Sequence, residues 1–312
     1  MTEPRLLPVA VHPVPSYGAE DVVVADNGLV FTGTEDGSIF AVRPDGGGVD
    51  LIGSTGGRPL GIELLGSDRL LIADAHHGLL AMKLRTGALE TLVDAVEGRP
   101  LVFCNNAAVA RNGDIWFSDS STVFGIEKWK NDFVQHTRTG RLFCLRANGV
   151  VEQGLDGLAF ANGVALAADE SYVAVAESGA RTVARLWLTG ERAGERDFLC
   201  TDLPGYPDNI ARGSDGLIWV SIASPVDPLV ERIRRGPMAL RKAVTAIPEA
   251  LQPKPRQTVR AMAYDDSGTL VHDVSGEVGG FHMVTGVREH DGRLWLGSLH
   301  EPAVAVISLG AD

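Results

Sequence analysis

The sequence predicts an all-β fold, a single six-bladed β-propeller with four-stranded blades that spans residues 1–312. Three observations predict it. Glycine supplies 37 of the 312 residues, stretches with a 3.6-residue apolar period are scarce, and one unit of strand, turn, strand and small residue recurs six times. A β-sandwich is the main alternative, but radial repetition explains six equally built units better.

The second strand of each repeat is a short apolar run. The six runs are LVF (29–31), LLI (70–72), IWF (115–117), VAV (173–175), IWV (218–220) and LWL (294–296). A small residue follows each of them: Thr32, Ala73, Ser118, Ala176, Ser221 and Gly297. Most of the preceding turns combine Asn or Asp with Gly, as in Asp215-Gly216, which is typical of β-hairpins. The intervals between the small residues match one blade each, once two insertions are allowed for.

The two ends of the chain are expected to close the ring together. The first inner strand begins at 21–25 and the last blade ends with AVAVISL (303–309), which leaves that blade one strand short. Residues near Leu6 to Val11 are apolar enough to supply the missing strand. A propeller closed in this way has no exposed edge between its first and last blades.

Two segments depart from the repeat and are expected to be insertions. The segment at about 123–139 predicts a short helix or a long loop. The segment at about 225–259 has apolar residues at helical spacing and more Lys and Arg than Asp and Glu, in a chain that is otherwise acidic. A helical hairpin packed on a blade edge is expected there. A substrate lid stays an alternative, and membrane contact through 225–259 is the less expected one.

Composition restricts the partners and the compartment. The formal net charge of −12 argues against nucleic acid as a partner, because phosphate backbones recruit basic surfaces. No run approaches 18 apolar residues, and the first residues lack the pattern of a signal peptide. A cytoplasmic location is therefore expected. The three cysteines match no zinc or redox spacing and are expected to be reduced.

A polar ring is expected at one mouth of the central channel, where the inner strands of a propeller begin. Counting back 12 to 14 positions from each small residue gives Glu20, Leu60, Asn105, Asn162, Asp208 and Thr285. Carboxylate and amide oxygens without His or Cys indicate a hard cation. Ca²⁺ is expected in preference to another divalent ion. Asn106 and Asn209 lie beside ring positions and could add a ligand or a substrate contact. The alternative is that these side chains only cap strand turns.

The segments GRPLGIELL (57–65), FANGVALAADE (160–170), LPGYPDNIARGSDGLIWV (203–220) and VREHDGRLWLGSLHEP (287–302) carry a family resemblance. The sequence resembles the calcium-dependent six-bladed propellers that include gluconolactonase (regucalcin), paraoxonase and the strictosidine synthase-like proteins, the last branch most of all. The resemblance implies a calcium ion held by Glu20, Asn162 and Asp208. It also implies a metal or substrate contact at Asn105 and a further ligand at Asn209.

Two departures from this family limit the chemistry that the resemblance implies. Plant strictosidine synthase has its catalytic Glu at the position of Thr285, so the condensation of an amine with an aldehyde is not expected. Paraoxonases place a pair of histidines above the metal, and the matching positions here are Leu60 and Ala75. The base that activates water is therefore expected to be a carboxylate of the ring.

Together these features predict a Ca²⁺-dependent hydrolase of a lactone or an activated ester, with Asp208 as the first choice of base and Glu20 as the second. The remaining substrate contacts are expected from Leu60, Thr285, Phe281 and His282. Two alternatives stay open. One is a metal-stabilised propeller that binds a ligand without chemistry, and the other is a non-hydrolytic metal-dependent enzyme of the strictosidine synthase-like group.

Overall fold

The computed structural model describes residues 4–248, 256–276 and 280–310. Its strands form six antiparallel blades around a central axis, which confirms the predicted propeller. Each blade begins with its innermost strand. The first blade contains β3 (Val22–Val24), β4 (Val30–Gly33), β5 (Ser38–Arg43) and β6 (Gly48–Ser54), and the second contains β7 (Pro59–Leu65), β8 (Arg69–Asp74), β9 (Gly78–Lys83) and β10 (Leu89–Val93).

The next two blades have the same four-stranded plan. The third contains β13 (Cys104–Val109), β14 (Ile115–Asp119), β15 (Gly140–Leu145) and β16 (Val151–Leu158), and the fourth contains β17 (Ala161–Leu166), β18 (Tyr172–Glu177), β19 (Thr182–Trp187) and β20 (Arg196–Cys200). A small hairpin, β11 (Ala95–Val96) and β12 (Arg99–Pro100), joins the second blade to the third. All six predicted apolar runs lie on the second strands of the blades.

The N-terminal segment takes part in both of the last two blades. The fifth contains β21 (Gly205–Arg212), β22 (Ile218–Pro225), β23 (Val259–Tyr264) and β24 (Leu270–Gly276), and the sixth contains β25 (Val284–His290), β26 (Arg293–Ser298) and β27 (Ala303–Ser308). Strand β2 (Val9–Pro13) pairs antiparallel with β27 and closes the ring, as predicted. Strand β1 (Arg5–Leu7), which was expected to help close the ring, instead pairs in parallel with β24 as a fifth strand.

The core lies between neighbouring blades, where the faces of adjacent sheets meet. The inner strands contact one another in the order β3, β7, β13, β17, β21, β25 and back to β3. Second strands are buried along nearly their whole length because both of their faces pack on another blade, as β18 shows at every position from Tyr172 to Glu177. Such strands read as continuous apolar runs rather than as an alternating pattern, which explains why the repeat was visible in the sequence.

Both insertions are helical. The first lies between β14 and β15 and contains the 3₁₀ turn η1 (Ile126–Lys128) and helix α1 (Trp129–Gln135). The second lies between β22 and β23 and contains α2 (Pro228–Arg234) and α3 (Met238–Thr245). Helix α2 begins where Asp227 accepts hydrogen bonds from the backbone N–H groups of Leu229 and Val230, a standard N-cap with proline in the first turn.

In the described part of the chain, no helix is both long and apolar enough to cross a membrane.

Candidate functional site

A register shift occurs at the start of each inner strand of blades three to six, and it positions the polar residues of the channel. The shifts fall between residues 104 and 107, 161 and 164, 207 and 210, and 284 and 287. Each interval contains two successive residues of interest, such as Asn105 with Asn106 and Asp208 with Asn209. A β-bulge lets neighbouring side chains depart from strict alternation. The two members of each pair therefore reach different levels of the channel.

Blade one carries the corresponding pair Glu20 and Asp21 without a register shift. The second members of the pairs in blades one, three and five form a hydrogen-bonded layer, called here the inner layer: Asp21, Asn106 and Asn209. The Asn106 amide donates to Asp21 Oδ2 at 3.2 Å and to Asn209 Oδ1 at 3.0 Å. Its Oδ1 accepts from the backbone N–H of Val164 at 2.9 Å, and Asp21 Oδ2 accepts from that of Ile62 at 3.1 Å. Asn106 and Asn209 were predicted as ligands or substrate contacts. The structure places them in this layer, where their side chains join the inner strands, and the predicted roles stay predictions.

Glycine occupies the same level on the three alternate blades. A Cβ added at Gly163 would lie 2.0 Å from the backbone nitrogen of Ile210, and one at Gly61 would lie 2.6 Å from the Cα of Asn106. Both distances are too short for any larger residue. The three glycines, which include Gly286, let the inner strands approach closely enough for the inner layer to plug the channel.

The first members of the pairs form the candidate site. Four of the six predicted ring residues line one cavity at the channel mouth: Glu20, Asn105, Asn162 and Asp208. The remaining two stand behind the ring. Leu60 is buried against Ala75 and Phe103, and Thr285 donates from Oγ1 to the backbone oxygen of Glu20 at 2.8 Å. Both were predicted to contact substrate, but Leu60 packs in an apolar cluster and Thr285 holds the backbone of a ring residue.

The buried oxygens of the ring lack protein partners. Glu20 Oε2, Asn105 Oδ1 and Asn162 Oδ1 are all buried without a hydrogen bond in the described structure. Asn162 is oriented by its other amide atom, because Nδ2 donates to Ser178 Oγ at 3.2 Å and this leaves Oδ1 unpaired. Unpaired buried oxygens are costly, and several of them around one point are the donor set that a hard cation takes.

Electrostatics in the ring also favours a cation. Burial, together with repulsion from Asp208 and Asp21, raises the pKa of Glu20 well above its usual value, although Arg58 opposes the rise. Burial and repulsion from Asp21 likewise raise the pKa of Asp208, against a lowering hydrogen bond from Asn162. A bound positive charge would reverse both shifts. Among the described residues no cluster of three His, Cys, Asp or Glu forms a metal site, so a cation here depends on the amide oxygens as well.

Above the ring the cavity is apolar. It has a volume of about 320 Å³, and its walls combine blade residues with residues of both insertions. Phe103 and Phe160 meet edge to face, with ring centroids 5.4 Å apart. Phe133 of α1 meets Tyr206 at 4.6 Å in a perpendicular arrangement. Trp129 completes this aromatic wall.

The two insertions cover the channel mouth together and are called here the lid (123–139 and 225–248). Gln135 of α1 donates to Thr245 Oγ1 of α3 at 2.8 Å, and Arg241 donates to the backbone oxygen of Gln135 at 3.0 Å. Arg234 lies over the ring of Phe133 at 5.1 Å. The second insertion was expected to pack on a blade edge, but residues such as Ile233 and Val244 face the cavity. This placement agrees with the lid alternative, whose role in substrate binding stays a prediction.

Two further residues predicted to contact substrate, Phe281 and His282, are not among the described residues that line the cavity. Phe281 is buried in the core between the last two blades and lines a second cavity of about 580 Å³, away from the ring. The Nδ1 of His282 lies 2.7 Å from the Oε1 of Glu301. Both assignments assumed that residues next to Thr285 in sequence also lie next to it at the mouth, whereas Phe281 packs in the core and His282 lies beside Glu301.

Sequence reasoning missed the aromatic wall and the partner of Asn162. Trp129 and Phe133 were visible as aromatic residues of an insertion, but nothing local indicated that they face the channel. Tyr206 stands two residues before Asp208, so its position beside the site could have been inferred from that proximity. Ser178 directly follows the second strand of the fourth blade and carried no distinguishing pattern.

Comparison with known proteins identifies the family. The family model described as SMP-30/Gluconolactonase/LRE-like region matches residues 19–235, which include the ring, α1 and α2. The chain belongs to this family. The resemblance expected from the sequence motifs is thereby confirmed.

Relatives of this family member include plant and animal proteins. Protein strictosidine synthase-like 10 of Arabidopsis thaliana is 34% identical over 271 residues, which cover 81% of this chain and 70% of that protein. The adipocyte plasma membrane-associated protein of Rattus norvegicus is 30% identical over 321 residues, covering 94% of this chain and 83% of that protein.

Solved structures share the fold at lower identity. A gluconolactonase from Xanthomonas campestris superposes with a TM-score of 0.71 at 14% identity, covering 99% of this chain and 96% of the other. Regucalcin from Agrobacterium tumefaciens, a calcium-binding protein, gives a TM-score of 0.67 at 14% identity over 98% and 95% of the two chains. At this identity the likeness establishes the six-bladed architecture alone.

Proposed function

We propose that this protein hydrolyses a lactone or an activated ester with the help of a divalent cation. Ca²⁺ is the first choice of ion. One observation carries the proposal. Glu20, Asn105 and Asn162 present unpaired buried oxygens beside Asp208, directly beneath an apolar cavity large enough for a small molecule. Glu20, Asn105, Asn162 and Asp208 would hold the ion. When bound, such an ion supplies Lewis acidity to a carbonyl oxygen and neutralises the two carboxylates.

The residues of the chain then have distinct tasks. The aromatic wall of Phe133, Tyr206 and Trp129 binds the apolar part of the ester and excludes water from it. Asp208 lines the cavity and accepts the proton of the attacking water at a carboxylate oxygen. Asn162 is oriented by Ser178, so that its Oδ1 would be available to hold the ion. A carboxylate beside a cation is a weak base, so reactive substrates such as strained lactones suit this site better than amides.

Similarity supports the proposal without deciding it. Gluconolactonase and regucalcin, which share the fold, are described as a lactonase and a calcium-binding protein. The relatives of higher identity are named for resemblance to strictosidine synthase and for association with the adipocyte plasma membrane. The apolar cavity favours a bulky or aromatic lactone over a free sugar lactone, because few polar groups above the ring could bind hydroxyls.

The test is a hydrolysis assay on a panel of lactones and aryl esters with a pH indicator. Protein stripped by a chelator is compared with the same protein after Ca²⁺ is restored, and the metal content of each sample is measured. We expect activity to vanish on stripping and to return with Ca²⁺. Activity in a sample shown to be metal-free would contradict the proposal.

Variants locate the chemistry. Asn162→Ala and Asp208→Ala remove one ring donor each and should abolish hydrolysis together with the Ca²⁺-dependent rise in melting temperature. Asp156→Ala, on an exposed position of β16, is the matched control and should change neither. If a ring variant keeps full activity, the site is misassigned.

Two outcomes would move the proposal to another class of function. Ligand binding without turnover would favour a metal-stabilised binding propeller, and turnover with no added water in the product would favour a non-hydrolytic enzyme. Nucleic acid is not expected as a partner because the chain carries a net charge of −12. The cytoplasmic location stays a prediction that cell fractionation tests.

A further inference from the structure

Helix α3 of the lid turns polar side chains as well as the apolar Val244 towards the protein, and it leaves large apolar side chains on its exposed side. Its polar residues Arg241 and Thr245 turn towards the protein, where Arg241 donates to the backbone oxygens of Gln135 and Gly236 and Thr245 accepts from Gln135. No residue of this helix is buried. A surface helix of a soluble protein normally presents these polar groups to water and buries its apolar side.

The exposed positions of α3 are mostly apolar. Met238 is 43% exposed and Leu240 is 45% exposed, and Ala239 and Ala243 are exposed beside them. Lys242 is the exposed charged residue of the helix. Adjacent large apolar side chains that face solvent mark a surface that is covered in use.

The charge around α3 indicates what covers it. No Asp or Glu occurs in the sequence from 232 to 248, although the whole chain carries a net charge of −12. Arg232 and Arg235 are exposed at the end of α2, close in sequence to the apolar positions of α3. Exposed Lys and Arg next to apolar side chains are the pattern of a helix that lies in the interface of an anionic bilayer.

We propose that α3 and the end of α2 form a docking surface for a lipid membrane with anionic headgroups. Met238 and Leu240 enter the boundary between headgroups and acyl chains, and Arg232, Arg235 and Lys242 pair with lipid phosphates or carboxylates. The acidic body of the propeller is repelled by the same lipids, so that the molecule binds lid first. The surface stands independently of the reaction, because neither Met238 nor Leu240 lines the cavity.

The experiment is vesicle co-sedimentation with the full chain. Vesicles of phosphatidylcholine are compared with vesicles in which roughly one lipid in three is phosphatidylserine. We expect binding to the mixed vesicles, weakening in high salt, and at least about tenfold weaker binding to phosphatidylcholine alone. Absence of binding to the mixed vesicles overturns the proposal.

A double variant distinguishes vesicle binding through this surface from non-specific binding. Met238→Gln with Leu240→Gln keeps good helix formers and removes the apolar contact, so binding should fall by roughly ten- to hundredfold. Leu51→Gln with Leu89→Gln changes two exposed leucines on blades one and two and should have no effect. Equal binding by the two double variants refutes the proposal. Unchanged thermal melting shows that each variant is folded.

A second readout distinguishes lipid from protein. Light scattering after size-exclusion chromatography measures the oligomeric state of the wild type and of the Met238→Gln, Leu240→Gln variant. A monomer in both cases agrees with the proposal. If the wild type is a dimer and the variant is a monomer, α3 mediates contact between two copies of this chain. That result would overturn the proposed membrane-binding role.

Discussion

Replacement of Glu20 by Gln is expected to stabilise the metal-free protein, which is unusual for a buried residue of a functional site. Glu20 is 3% exposed, its Oε2 has no hydrogen-bond partner among the residues that the structure describes, and Asp208 and Asp21 repel its negative charge. Glutamine has the same shape, carries no charge and offers an N–H donor to the unpaired oxygens nearby. The substitution therefore removes a charge that Arg58 compensates only in part and that a bound cation would compensate further.

The magnitude follows from the cost of a buried charge. An uncompensated carboxylate costs several kcal/mol, of which Arg58 already offsets a part. If the variant recovers about 2 kcal/mol, the melting temperature of the chelated protein rises by roughly 4 °C, at about 2 °C per kcal/mol for a chain of this size. In saturating Ca²⁺ wild type is expected to have the higher melting temperature of the two proteins. Wild type gains about 4 kcal/mol at a thousandfold excess over the dissociation constant, and the variant loses most of that gain.

The dependence on pH has a definite sign. Because the pKa of Glu20 is raised in the folded state, the folded protein holds its proton to higher pH than the unfolded chain does. The metal-free wild type therefore loses stability relative to Glu20→Gln as pH rises above about 4.5, the unfolded value, and the two converge below it.

The assay is thermal melting of both proteins in chelator and in Ca²⁺ between pH 4 and pH 8. Glu90→Gln, an exposed glutamate on the second blade, is the matched control and should melt as wild type in every condition. If Glu20→Gln melts lower than wild type in chelator and keeps the full Ca²⁺ shift, Glu20 does not belong to a charge-repelling ring and the reasoning fails.

Three further predictions test the surroundings of the ring. Ser178→Ala should weaken Ca²⁺ binding about tenfold or more by calorimetry, because Asn162 loses the partner that orients it; unchanged affinity would show that the amide is held otherwise. Phe133→Ala should lower kcat/KM roughly tenfold or more for a bulky aromatic lactone and less than threefold for a small one, and an equal loss on both would argue against the aromatic wall. Thr285→Val should cost about 1–2 kcal/mol in urea unfolding through its lost bond to Glu20, and a neutral effect would contradict that role.

The ring could be predicted because a propeller repeats its geometry as well as its sequence. The second strands are buried on both faces, so each blade carries the same apolar run at a nearly constant distance from its inner strand. Counting back along the chain therefore reached Glu20, Asn105, Asn162 and Asp208, which the structure gathers around one cavity. Local pattern and global fold agree at these positions.

The lid and the inner layer could not be predicted in the same way. The contact of Gln135 with Thr245 joins residues 110 positions apart, on insertions of different blades, and no local period reports it. Asn105 and Asn106 reach different levels of the channel because of a register shift in their strand. Simple alternation of side chains along a strand does not predict this shift. Sequence pattern identifies which residues are polar and inward, whereas tertiary contacts decide which of them reach the cavity.

The N-terminal segment sets a constraint on biosynthesis. Strand β2 pairs with β27, which lies nearly 300 positions later in the chain, and β1 pairs with β24. During translation both strands must remain without their partners until the last blades leave the ribosome. Loop closure over such a separation is slow and leaves strand edges open meanwhile. A circular permutant that begins at the turn before β3 and joins the old termini would synthesise β2 immediately after its partner, and should refold faster with less aggregation.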